Sequence, residues 1–142
     1  MDGLTVAWQV QFGQIKLMSN IYVAIDGNEI GKIIEKYLLC EELEELSKFS
    51  SAMNDSVSKI SAFIEKNNGV LVMSGGDNIL ACLPENVYLA LKNIISKYNE
   101  NTNFKFSIGV STYPLGSYLA LKYAKANHLY AVKYDNGKFS NY

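Results

Sequence analysis

The chain contains no arginine: all thirteen of its basic side chains are lysines. A phosphate bound here is therefore held by lysine point charges, backbone N–H groups or a metal ion, and not by a bidentate guanidinium fork. A single histidine, His128, excludes a histidine-rich zinc centre and leaves little room for a histidine-based nucleophilic triad. The two cysteines, Cys40 and Cys82, fall in apolar-periodic segments, so buried free thiols are expected rather than a disulfide. No unbroken apolar run reaches the ~18 residues of a membrane span. No basic stretch followed by an apolar run opens the sequence, so a cytoplasmic location is expected. A net charge of -1 argues against broad binding to duplex nucleic acid. Neither direct nucleic-acid binding nor membrane binding is expected.

What is present describes an ordinary folded domain. The 142 residues are 49% hydrophobic and 19% charged, enough for one domain with a real core. "NIYVAID" (20–26) has the pattern of a short buried strand ending in an acid. The segment 27–49 has Ile30, Ile33, Ile34, Tyr37 and Leu38 at helical spacing, with the acids Glu41, Glu42, Glu44 and Glu45 on a solvated outer face. A second helix is expected over 50–69, closed by Asn-Asn-Gly. "VLVMS" (70–74) and "NILACL" (78–83) are strands joined by a Gly-Gly-Asp turn. Pro84 opens a helix carrying Val87, Leu91, Ile94 and Ile95. "FKFSIGVSTY" (104–113) is another strand. A long final helix is expected over 115–133, with Gly137 beyond its end and room for a short strand at the C-terminus. Residues 1–17 do not fit this plan. The alternation of Val6, Trp8, Val10 and Phe12 reads as an extra strand or hairpin, and Met18 reads equally well as a start that makes 1–17 an upstream leader.

The order β-α-α-β-β-α-β-α gives an α+β fold with an antiparallel-containing sheet and helices on one face, the ferredoxin-like split βαβ. In that topology the first strand lies antiparallel to the third. Asp26, at the end of the first strand, and Asp77, at the tip of the hairpin, are then neighbours in space although 51 residues apart in sequence.

Two adjacent carboxylates suit magnesium, which takes oxygen ligands from one or two carboxylates and completes its shell with substrate phosphates. A pair of such ions ~3.5–4 Å apart activates an attacking hydroxyl and neutralises a leaving oxygen. Gly75, Gly76 and Gly27 permit backbone angles closed to other residues and allow close approach of a ligand. The amides of Gly27, Asn28, Glu29, Ile30 and Gly31, at a helix start, form a seat for a triphosphate. On the expected last helix, Lys122 and Lys133 are eleven residues apart and differ in direction by ~20°. Lys133, or less favourably Lys122, reaches the phosphates in one reading and is a solvated surface lysine in the other. His128 lies in the apolar stripe of that helix and reads as a core histidine more readily than as a base. A reader of single-stranded RNA would need aromatic residues on the central strands, and "VLVMS" and "NILACL" have none.

"YVAIDGNEIG", "LVMSGGDNILACLP" and "FSIGVSTYPLGSYLALKYAKANHLYAVK" resemble, in order and spacing, the palm of GGDEF-type nucleotide cyclases and of the CRISPR polymerase. They resemble most of all its stand-alone form, the minimal CRISPR polymerase (mCpol). The similarity covers about residues 20–138, so that 18–142 is expected to be the palm domain. It implies two-metal nucleotidyl transfer, with two Mg2+ or Mn2+ ions per active site. ATP is the favoured substrate, a cyclic oligonucleotide the product and a face-to-face homodimer the working unit. The signal would serve antiviral defence by acting on a separate effector. By position, Asp26 and Asp77 match the metal-binding acids and Gly27 a carbonyl ligand. Lys133 matches the phosphate-contacting lysine of the "LYxAK" ending, here "LYAVK". Relatives place further acids where this chain has Asn28 and Asn78, so the site carries two fewer negative charges.

Overall fold

The computed structural model of the protein describes residues 19–142; the extra strand or leader expected within residues 1–17 lies outside them. The elements in chain order are β1 (Asn20–Gly27), α1 (Ile30–Leu39), α2 (Leu43–Lys66), β2 (Val70–Gly75), β3 (Asn78–Pro84), α3 (Tyr88–Asn101), β4 (Phe106–Ser111), α4 (Pro114–Ala126), β5 (Ala131–Asp135) and β6 (Lys138–Asn141). A 3-10 turn at Glu85–Val87 separates Pro84 from α3. The strands form one six-stranded sheet in the order β2-β3-β1-β4-β5-β6. This is the α+β palm architecture. Every neighbouring pair is antiparallel except β4 and β5. The expected pairing of the first and third strands is present, in a register from Asn20↔Pro84 to Asp26↔Asn78.

Alternation along β1 assigns its side chains to the two faces of the sheet. Ile21, Val23 and Ile25 enter the main core with Ile79, Ala81 and Leu83 of β3, Phe106, Ile108 and Val110 of β4, and the apolar faces of α2 and α3. Burying each large side chain there contributes roughly 1.5–3 kcal/mol. Tyr22, Ala24 and Asp26 face the other way, in line with Ser107, Gly109 and Ser111 of β4. Helix α4 lies on this second face, against Gly109 and, through Ala120 and Ala124, against Val132. The expectation of helices on one face is thus corrected: α4 lies opposite the others. Gly109 is the physical reason. A Cβ there would stand 2.2 Å from the backbone nitrogen of Leu121 and 2.3 Å from the carbonyl oxygen of Ser117, so only a bare Cα lets the helix seat on the strand.

Three helices end in one motif. After α1, Glu42 N–H donates to Tyr37 O at 2.8 Å; after α2, Gly69 N–H donates to Ile64 O at 2.8 Å; after α4, Leu129 N–H donates to Ala124 O at 2.8 Å. The residue before each donor takes a left-handed φ: Glu41 at 54°, Asn68 at 68° and His128 at 54°. These are Schellman stops, usually built on glycine. Two sequence expectations are corrected by them. The first helix breaks at 40–42 and not near residue 49. The last helix ends at Ala126, and the segment expected to extend it to 133 turns into β5. Cys40 caps the break in α1 and is exposed, and Cys82 is half-buried, so neither thiol is buried as expected. His128 is likewise an exposed turn residue and not a core histidine. The chain closes with a β5–β6 hairpin whose two turn residues, Asn136 and Gly137, have φ of 50° and 76°.

Gly109→Ala is expected to cost about 3 kcal/mol in urea unfolding, because the obstructing atoms are helix backbone and cannot rotate away. Glu41→Gly should act oppositely, raising stability by about 1 kcal/mol as the left-handed strain at an exposed position is relieved. Equal midpoints for wild type and either variant would contradict these assignments.

Candidate active site

The end of β1 and the tip of the β2–β3 hairpin meet at one end of the strands. Gly76, with φ 58°, takes the first position of a two-residue turn and Asp77 the second, between the pair Gly75↔Asn78. Glycine at that first position is what a hairpin twisting with its strands requires. The tip is tied down by Gly27 N–H, which donates to Asp77 O at 3.1 Å. A Cβ on Gly27 would lie 3.1 Å from Asp77 Oδ2 and 2.6 Å from the Ile30 side chain, so the Asp77 carboxylate rests over the bare Gly27 backbone. Asp26 stands beside it, paired across the sheet with Asn78 on one side and Ser107 on the other.

The two carboxyl groups are within interaction range. Partial burial holds Asp77 above the usual carboxylate range, and the charge of Asp26 and a hydrogen bond with it push the same way. Its own backbone N–H and the Lys125 charge pull in the opposite direction. Lys125 was not singled out in the sequence. Its Nζ donates to Asp26 Oδ2 at 2.5 Å and to the Gly27 carbonyl at 3.0 Å. Both side chains of the pair are about three-quarters shielded, with 28% and 26% of their surface exposed. Lys125 reaches the site because α4 stops one residue later, in the turn at 127–129. A readable signal existed: Asn-Gly at 136–137 after the alternating "YAVKYD" marks a hairpin, which forces the helix to end earlier and leaves Lys125 in its last turn.

The other expected site residues divide. Asn28 is committed locally: its N–H donates to Lys105 O at 2.7 Å and its Nδ2 to Ser107 Oγ at 2.9 Å. With Gly27 N–H also used, the phosphate seat expected from Gly27 to Gly31 shrinks to the amides of Glu29, Ile30 and Gly31. Glu29, with φ 56°, caps α1 and pairs with Lys32 at 3.2 Å, while Ile30 packs on the core. Added Cβ atoms at Gly31, Gly75 and Gly76 would meet nothing within 4 Å, so the space above the turn is open. Lys133 lies on β5 opposite Val110, three residues along the sheet from the Asp26↔Ser107 row, with its Nζ 4.7 Å from the Tyr142 ring centre. Lys122 projects over Tyr118, 5.4 Å from its centre. The structure brings neither lysine to the carboxylates. A shared helix face for them does not exist, because they lie on different elements.

One cavity borders Asp77 and another borders Asn28 and Lys125. The first, of about 400 Å³, is mostly apolar and bordered by Ile30, Phe49, Met53, Asn54 and Asp77. The other, of about 680 Å³, is lined by Asn28, Asn99, Lys105, Ser107, Lys125 and His128 among others. Among the described residues no group of three or more His, Cys, Asp and Glu side chains converges to hold a metal. A divalent ion beside the acids would have the hard oxygens of Asp26, Asp77 and Gly27 and would complete its shell from substrate, which is a donor set suited to Mg2+ or Mn2+.

A family model described as the minimal CRISPR polymerase domain, mCpol, matches residues 22–133. The chain belongs to the mCpol family. The matched span runs from the middle of β1 to Lys133 and holds Asp26, Asp77 and Lys125. Among solved structures, this mCpol chain is similar to the active GGEEF domain of a diguanylate cyclase from Vibrio cholerae, at TM-score 0.61 and 15% identity over 94% of this chain and 95% of that one. It is also similar to a diguanylate cyclase/phosphodiesterase from Caldicellulosiruptor saccharolyticus, at TM-score 0.53 and 18% identity over 96% of this chain and 88% of that one. At such identities the likeness is one of fold, the palm shared by nucleotide cyclases and polymerases. No curated protein matches the chain by sequence.

Asp77→Asn keeps the shape of the turn and removes one of two facing charges. At pH 7 it is expected to raise stability by about 1 kcal/mol, the usual gain from relieving a strained functional site. The folded carboxyl titrates above its unfolded value, so its unfavourable contribution develops as pH rises through and above the carboxylate range. The advantage of the variant should therefore fade below about pH 4, where the unfolded carboxyl is protonated too. Thermal melts of both proteins from pH 3 to 8 check this.

Proposed function

We propose that this palm is a metal-dependent nucleotidyltransferase that joins nucleoside triphosphates, ATP by preference, into a cyclic oligonucleotide signal. The observation that carries the proposal is the closing of Asp26 and Asp77 on the Gly27 backbone where β1 ends beside the open hairpin tip. Family membership supports it, since the palm is the fold of nucleotide cyclases and polymerases.

Asp26 and Asp77, with the Gly27 carbonyl, would hold Mg2+ or Mn2+. When bound, such ions would lower the pKa of a ribose hydroxyl and neutralise the departing pyrophosphate. The chain's own residues position and exclude. The mostly apolar cavity beside Asp77 would take the nucleoside and shield it from water. The open space above Gly75 and Gly76 would admit the phosphates, and the first-turn amides from Glu29 to Gly31 would face them. The ribose oxygen of one nucleotide attacks the α-phosphorus of the other, the P–O bond to pyrophosphate breaks, and the hydroxyl proton passes to solvent. Two protomers face to face would each present one nucleotide, so catalysis is positioning and charge stabilisation without a protein nucleophile. The product would act on a separate effector in antiviral defence, and the enzyme itself would work in the cytoplasm.

One observation favours a second reading, a palm that binds nucleotide as a sensor without turnover. Asn28, one of the two amides at positions where the family resemblance implies acids (the other is Asn78), is bonded to Ser107 and not free for a metal. Incubation with ATP and Mg2+ separates the two. The enzyme reading expects pyrophosphate release and a cyclic product, both abolished by Asp77→Ala. Thermal stabilisation by ATP with no pyrophosphate would establish the sensor instead.

A further inference from the structure

Lys125 has a relation to the site that the transfer reaction does not require. Its ammonium nitrogen binds Asp26 Oδ2 at 2.5 Å and the Gly27 carbonyl oxygen at 3.0 Å, two of the oxygens assigned above to a divalent ion. We propose that Lys125 is a tethered counter-ion that closes this position to a free divalent cation until a nucleotide arrives with the metal. The inference rests on the reading of Asp26, Gly27 and Asp77 as metal ligands.

Geometry comes first. An ion ~2.1 Å from both oxygens and an ammonium hydrogen-bonded to the same oxygens would compete for one volume. Two cations so close repel strongly in a partly shielded site, so one must leave. The contact is also unlike the other ion pairs among the described residues. Lys32–Glu29, Lys48–Glu44, Lys48–Glu45 and Lys59–Asp55 are exposed pairs three or four residues apart. Lys125–Asp26 spans 99 residues and is largely shielded. The Lys125 backbone is held by the Schellman stop of α4, where His128 N–H donates to Lys125 O at 3.5 Å, while its four-carbon stem has the rotatable bonds that a displaced ammonium needs.

The charges make the device conditional. Without nucleotide, one ammonium offsets part of the charge of two neighbouring carboxylates. A metal–triphosphate complex brings cations for the carboxylates and anionic oxygens for the displaced ammonium at the same moment. Metal and nucleotide should therefore bind with positive coupling, and by linkage each raises the affinity for the other by the same factor. Removing the ammonium should weaken that coupling by allowing the metal to bind alone.

The test is titration of metal-free protein with Mn2+ alone, followed by calorimetry or by the electron paramagnetic resonance of free Mn2+. It is repeated with a non-hydrolysable ATP analogue present. Wild type should bind Mn2+ weakly alone and at least about tenfold more tightly with the analogue. Lys125→Met and Lys125→Gln should bind Mn2+ alone about tenfold more tightly than wild type, and the analogue should add little. Metal-free Lys125→Met should melt below wild type and recover on adding Mn2+. Lys125→Gln, which keeps a donor for the Gly27 carbonyl, serves if the methionine variant folds poorly. Lys125 variants that bind Mn2+ no tighter than wild type overturn the inference. If Asp77→Asn then still weakens Mn2+ binding, the functional reading stands without it. If the gain in Lys125→Met survives the added Asp77→Asn change, the ion lies elsewhere and both readings fall.

Discussion

The register of β1 against β3 is the constraint from which the site follows. Asp26 opposite Asn78 means that the strand end and the hairpin tip fall on one line. The Gly27 N–H to Asp77 O bond then holds the tip in place. A slip of one residue would send Asp26 to the opposite face and separate the acids, since side chains alternate with a period of two. That register is held by the core: Ile25 opposite Ile79, Val23 opposite Ala81 and Ile21 opposite Leu83 all lie in the same buried layer. Packing at the centre of the sheet thus places charge at the end of its strands.

Placing charge there has a cost, and the structure distributes it. Partial burial, and after it the neighbouring charge of Asp26, hold Asp77 above the ordinary carboxylate range. Lys125 supplies the opposing charge from the helix on the same face of the sheet as Asp26, which seats there only because residue 109 is glycine. Asn28 and Asn78 fit the same logic. Acids at both positions would add two charges beside Asp26, with one lysine side chain bonded there to offset them. Asn28 as an amide instead donates to Ser107 and holds the start of α1 against β4.

Much of the fold was legible. The five strands read from alternation and apolar runs, including a short one foreseen at the C-terminus, match elements of the sheet, and the first-to-third pairing followed from the order of elements. The two misplaced helix ends share one cause. Glu41 and His128 stop their helices in the left-handed conformation that glycine usually supplies, so neither position itself carries a stop residue, and the only sign of the second stop is the Asn-Gly hairpin turn downstream at 136–137. After α2, where Asn68 precedes Gly69, the stop was readable. Running the last helix through His128 made that residue core and put Lys122 and Lys133 on a common face. It also hid Lys125, whose role depends on being in the final turn.

By itself the sequence determined the α+β split βαβ class and the convergence of the two acids, because hydrophobic periodicity and element order are local properties that add up to a topology; the palm came from the resemblance of its motifs. It determined too that no guanidinium takes part. Only the tertiary structure decided which lysine meets the acids and which face α4 occupies. Those depend on one glycine's missing Cβ and on backbone angles at two turns, and a close approach between distant segments leaves no periodic trace in either of them.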